Sequence, residues 1–209
     1  MSAEPNSPAL NQALPRYYEV TVLDSYNLVH PTEKLHQYPA QLEEGDRTGL
    51  YLRVAPKSGT PWIGFFALGF QSEQVASGVF PCPDPDWFCA ISGGYAYVVN
   101  ASNPLQWIQI EQRPVVEVRP VPELKLILFA GFTSITALGS SQQLWTTDRL
   151  SWEGISITRI ESATLHGNGW DAIRDVEVPF EVDLRTGKST GGARPTQTAG
   201  GGLTTDQHR

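Results

Sequence analysis

The chain has 209 residues, 40% of them hydrophobic and 10% aromatic, with 19 Gly, 16 Pro, six Trp and 18% charged residues. That composition is too apolar for a disordered chain, too poor in Cys for a disulfide scaffold and too interrupted by charge for a membrane span. The net charge of −7 gives a polyphosphate no electrostatic reason to approach, so a nucleic-acid partner is disfavoured.

Residues 1–15, rich in Ser, Asn, Pro and Ala, carry no periodicity and read as a disordered arm. They lack the basic start and apolar stretch of a secretory signal, and no later run approaches the ~20 apolar residues of a bilayer span. The expectation is a cytoplasmic protein with no membrane contact. Tyr18, Val20 and Val22, then Leu50, Leu52 and Val54, alternate with other residues as half-buried strands do. The one helical candidate spans 32–44, a turn or two at most, because Thr32 can cap a first turn while Pro39 breaks it. Apolar, β-branched and aromatic runs bounded by Gly, Pro, Asn or Ser follow at 62–70, 87–91, 95–99, 105–110, 115–121, 124–129, 155–160 and 176–184. From Lys188 the chain is small and polar and reads as a disordered Gly/Thr-rich tail, residues 188–209. One all-β domain is expected at 16–187, an antiparallel propeller-like or sandwich-like meander of short strands.

A repeat runs through residues 75–187. At an offset of 39, Gly78 to Pro83 falls on Glu117 to Pro122 with both prolines aligned, and Trp87, Phe88 and Cys89 fall on Leu126, Ile127 and Leu128. With a one-residue slip, Gly93 falls on Gly131, Tyr97 on Ile135 and Trp107 on Trp145. A period near 40 built of several short strands is the length of a propeller blade. The run Ile135 to Trp145, and the turn Val182-Asp183-Leu184-Arg185-Thr186-Gly187-Lys188, resemble the repeat of quinoprotein-type propellers. The resemblance implies the strand topology of such blades and not quinone chemistry. Arg149 to Gly154 and His166 to Asp171 also resemble segments of uncharacterised bacterial proteins of this length, and that likeness implies no activity.

The most unusual local cluster is His166-Gly167-Asn168-Gly169-Trp170-Asp171. One reading makes it an irregular turn, freed by its two glycines, with Trp170 packed into the core. The other makes His166 a general base oriented by Asp171 or Asp175, with Trp170 stacking on a planar or sugar-like ligand. Asn168, Trp170 and Trp152 are the candidate ligand-binding residues. His30 and His36 are six apart across Pro31, which suits a turn better than a metal pair. Gly187-Lys188-Ser189 lacks the earlier Gly and the following helix of a phosphate loop. Asp84 and Asp86 read as a polar turn, and Cys82 and Cys89 as buried small hydrophobes. No metal or cofactor is expected. The function expected is a non-enzymatic protein-interaction module, through a protein partner or self-association. The rivals are a small hydrolase or lyase using His166, and a carbohydrate or small-ligand binder using exposed Trp.

Overall fold

The computed structural model describes residues 14–24, 33–41 and 48–193, and among them sixteen strands form four sheets of four. The first sheet holds β1 (Tyr18–Leu23), β2 (Lys34–Tyr38), β3 (Gly49–Pro56) and β4 (Trp62–Ala67) in the order β1-β3-β4-β2. The other three are simple antiparallel meanders. The second holds β5 (Gly78–Pro81), β6 (Trp87–Ser92), β7 (Tyr95–Asn100) and β8 (Trp107–Gln109), and the third β9 (Glu117–Val121), β10 (Leu126–Ala130), β11 (Ile135–Gly139) and β12 (Leu144–Thr146). The fourth holds β13 (Ile155–Glu161), β14 (Thr164–Asp171), β15 (Val176–Asp183) and β16 (Ser189–Gly191). The fold is all-β, and the unit of the sequence repeat is one propeller-like sheet, beginning at Gly78, Glu117 and Ile155.

Alternation along each strand sends successive side chains to opposite faces, and three clusters fill the spaces between consecutive sheets. Phe88, Ala90, Tyr97 and Val99 of the second sheet pack on Tyr18, Leu52, Val54, Trp62 and Phe66 of the first. Cys89, Ile91, Ala96 and Val98, on the other face of the same sheet, pack on Ile127, Phe129 and Leu138 of the third. Leu128, Ala130, Ile135 and Ala137 then meet Leu165, Phe180 and Val182 of the fourth. The two middle sheets therefore bury both faces, which is why β6 and β10 read as unbroken apolar runs. The polar tips of the buried aromatics reach backbone carbonyls of neighbouring elements: Trp62 Nε1 donates to Ala101 at 2.8 Å, Tyr38 Oη to Pro104 at 2.8 Å and Tyr97 Oη to Ala67 at 3.1 Å.

Three expectations need correction. The helical candidate at 32–44 contains a strand and no helix among its described residues: Lys34 to Tyr38 pair in parallel with Trp62 to Phe66. Tyr38 is buried to 1% and stacks on Phe66 at 4.8 Å, so tertiary burial overrides a marginal helix. Thr32 and residues 42–44 lie outside the described residues. The second correction concerns the repeat register. Cys89 pairs with Val98 and Leu128 with Ala137, so the 39 offset continues into the third strand and Tyr97 corresponds to Thr136. The one-residue slip that matched Tyr97 to Ile135 and Trp107 to Trp145 reverses their faces. Tyr97 and Trp107 pack between the first two sheets, Ile135 and Trp145 between the last two. Third, the β domain passes 187: β16 lies in the expected tail and pairs with Phe180 to Val182, and Ala193 is fully buried. At the other end Leu14, placed in the expected arm, is buried. Residues 1–13 and 194–209 lie outside the described residues.

Among the ties of the connector between the third and fourth sheets, Leu150 is held from both sides. Leu150 N–H donates to Thr133 at 2.8 Å, its carbonyl accepts from Ala193 at 2.9 Å, and its side chain is fully buried. Phe88, also fully buried, has Tyr18, Phe66 and Trp62 rings within 5.5, 6.1 and 6.2 Å. Replacing Phe88 with Ala is expected to lower unfolding free energy by about 3–5 kcal/mol, measured by urea denaturation with far-UV circular dichroism and Trp fluorescence moving together.

Candidate functional site

The segment His166 to Asp171 is regular strand, inside β14, and its glycines serve close packing. A Cβ on Gly167 would come within 2.4 Å of the Phe180 ring, and one on Gly169 within 2.2 Å of the Leu150 carbonyl oxygen. Strand geometry then decides which candidates meet. His166, Asn168 and Trp170 lie at i, i+2 and i+4 and share the outward face of the fourth sheet, while Gly167, Gly169 and Asp171 face the third sheet and are buried.

His166 is therefore not beside Asp171. Its ring stands between two carboxylates of the flanking strands, with Nδ1 3.2 Å from Glu181 and Nε2 3.8 Å from Glu161. Asp171 sits at the strand end and closes the β14–β15 turn. Its carboxylate accepts from Ile173 N–H at 3.0 Å, Arg174 N–H at 3.2 Å and Arg174 Nε at 2.5 Å. The Arg174 guanidinium, helped by these amides, holds the Asp171 carboxyl below the usual carboxylate range. Asp175 occupies the exposed tip of that turn at φ 58°. The three residues expected to cooperate are thus a surface imidazole, a turn-closing carboxylate and a turn tip.

Trp152 lies on the connector of residues 147–154. Its amide donates to the Trp170 carbonyl at 2.9 Å, Arg149 lies 4.7 Å over its ring, and its buried Nε1 has no hydrogen-bond partner among the described residues. Ser151 is the hub of this connector: its hydroxyl donates to Gly154 O at 2.5 Å and accepts the amides of Trp170 and Glu153 at 2.8 and 3.2 Å. Cys82 and Cys89 are free and fully buried, and burial pushes both thiols up. Asp84 accepts the Ser141 amide of the next sheet at 2.8 Å, and Gly187 closes the β15–β16 hairpin against Asp183. His36 is half-buried against Trp62, and His30 lies outside the described residues. Among the described residues no cluster of three His, Cys, Asp or Glu side chains is placed to hold a metal.

The meander topology produces a surface that no single motif announced. In the second to fourth sheets the β6–β7, β10–β11 and β14–β15 tips lie at the same end of the stack as the connectors between sheets. Phe70, on the first connector, is 45% exposed, meets the Tyr95 ring edge-on at 5.7 Å, and Arg113 lies 4.9 Å over that ring. Gln112, beside Arg113, accepts from the Ser134 hydroxyl at 2.7 Å, which joins this group to the tip bearing exposed Phe132. The Phe132 carbonyl accepts from Gly154 at 2.9 Å, on the connector that carries the Arg149–Trp152 pair, and Ile173, 67% exposed, lies on the β14–β15 tip at the same end. One end of the stack thus gathers exposed aromatic and aliphatic side chains and two arginines into a rim. The sequence carries one local trace of it, Arg149 three residues before its ring partner Trp152, whereas Arg113, on the connector after β8, meets Tyr95 of β7.

Comparison of the sequence with known protein families and with curated proteins finds no match. No helix among the described residues is long and apolar enough to cross a membrane.

Because Asp171 is held low in the folded protein, its contribution to stability is present above the ordinary carboxylate pKa and is lost as pH falls through the lowered value. Asp171→Asn is expected to lower stability at pH 7 and to flatten the decline between roughly pH 5 and pH 3, read as urea midpoints across that range. An unchanged decline in the variant would show that other carboxylates set the acid limit.

Proposed function

We propose that the chain is a non-enzymatic, cytoplasmic protein-interaction module that engages its partner through the connector rim. The observation that carries this reading is the exposure of Phe70, Phe132 and Ile173 at one end of the stack, beside two arginines positioned over the Tyr95 and Trp152 rings. Aromatic and Arg side chains are the types that concentrate at the energetic centres of protein interfaces, and rigid stacked pairs lose little rotamer freedom on binding. Two free, buried thiols fit a reducing compartment.

The sheet faces at the two ends of the stack are less suited to the role. The outward face of the fourth sheet carries Glu161, Glu177, Glu181 and Arg159 around His166, a well-hydrated surface. On the first sheet Ile63 and Phe65, on the face of β4 opposite Trp62 and Phe66, are buried to 0% and 2%. The contact surface is accordingly assigned to the rim.

A photo-crosslinking amino acid at Phe132 tests the assignment, with Leu105 as control, since Leu105 is 76% exposed at the opposite end of the stack. Crosslinks to a discrete protein from 132 and not from 105 are expected, in cells expressing the chain at native level. Equal yields from both positions, or none from 132, would overturn the rim as the interface. Light scattering on the purified protein separates a second copy of the chain from a different partner.

A further inference from the structure

The cleft of about 460 Å³ at the far end of the stack, where the third and fourth sheets meet, plays no part in the interaction reading. Leu124, Leu126, Leu184 and Trp145 supply its apolar wall, and Lys125 and Arg185 its cations. The wall is rigid. Trp145 stands against Gly187, whose φ of 73° already demands glycine, and a Cβ there would come within 2.7 Å of the indole. Trp145, Leu124 and Leu126 are only partly buried and so present open apolar edges to the cleft, while Leu184 is buried.

The loops bordering the cleft also carry unusual backbone. Lys125 has φ 50°, and Ser141 and Gln142 both have φ 57°, three of the five non-glycine residues with positive φ among those described. Left-handed backbone at non-glycine residues is held only where surroundings over-determine it, and it gathers at ligand sites. Here the bracing is visible: Ser141 N–H is fixed by the Asp84 carboxylate from the second sheet at 2.8 Å, and Lys125 N–H by the Pro122 carbonyl at 3.1 Å. Neither Lys125 nor Arg185 is in an ion pair among the described residues. With Glu123 also on the lining, the cleft carries one net positive charge in a chain whose net charge is −7.

We propose that this cleft binds a small aromatic monocarboxylate, its ring against Trp145 and the leucines and its carboxylate on Lys125 and Arg185. Aromatic stacking supplies the apolar part of the recognition and guanidinium–carboxylate pairing the directional part. A single surplus charge suits a monoanion, and Glu123 repels a polyphosphate.

The test is a titration of the isotopically labelled protein with indole-3-carboxylate and, separately, with uncharged indole, followed by amide and indole N–H shifts. Expected are saturable shifts at Trp145 and Leu184, binding of the carboxylate at least tenfold tighter than of indole, and a severalfold loss of that preference in Lys125→Gly and in Arg185→Gln. Glycine at 125 relieves the positive φ, so the first variant retains its fold. The proposal is overturned by the absence of shifts at Trp145, by equal binding of indole, or by a preference that survives both substitutions. None of these results bears on the rim, which lies at the other end of the strands.

Discussion

The constraint on which the rest of the structure depends is that no sheet has a core of its own. Each of the three apolar clusters is made jointly by two consecutive sheets, so every unit buries its inward side chains only because its neighbour is in place. For the second and third sheets this holds on both faces, and β6 and β10 carry almost no polar side chains as a result. Hydrophobic burial is non-directional, and the hydrogen bonds from Trp62, Tyr38 and Tyr97 to carbonyls outside their own strands supply the missing directionality. Together they fix how the second sheet sits on the first, and the stack as a whole is built in the nearest-neighbour manner of repeat proteins.

That stacking sorts the surface by function. Meander connections place every inter-sheet connector at one end and the β9–β10, β11–β12 and β15–β16 hairpin tips at the other. The connector end is tied by backbone hydrogen bonds such as Ala76 to Val115 and Gly154 to Phe132, which leaves the side chains of those segments free to point outward. The opposite end holds the strained, Asp84-braced loops around Trp145. The same fold thus presents a broad, apolar, Arg-bearing rim at one pole and a smaller open cleft at the other, two shapes suited to partners of different size.

Much of the scaffold was legible in the sequence, because short apolar runs separated by turn residues leave little choice but strands. The 39-residue unit was legible too, since Pro-x-Pro turns and apolar second strands recur in order. Asp183 and Gly187 close a hairpin through local chemistry that depends on no distant residue. What sequence could not show is parity across a loop. Moving Tyr97 onto Ile135 costs nothing in an alignment, yet one residue transfers a side chain to the opposite face and a different cluster. The same parity separates His166 from Asp171, five positions apart and hence on opposite sides of β14. Their glycines looked like a signal for irregular backbone, and are instead the outcome of Phe180 and the Leu150 carbonyl pressing against the strand. The parallel pairing of β2 with β4, and the convergence of Phe70, Arg113, Phe132 and Trp152, depend on tertiary contacts with no local trace.

Leu150 gives the chain an order of events. Its amide is satisfied by Thr133 of the third sheet, a residue made earlier, but its carbonyl waits for the amide of Ala193, and the backbone near it is crowded by Gly169 and Gly192. During synthesis the first three sheets emerge with their own hydrogen bonds and two of the three clusters complete, while the third cluster and this carbonyl stay open. The fourth sheet is therefore fastened last, by a residue forty-three positions downstream, and a ribosome pausing before β13–β15 have emerged would expose the apolar face of the third sheet to whatever chaperone is nearest.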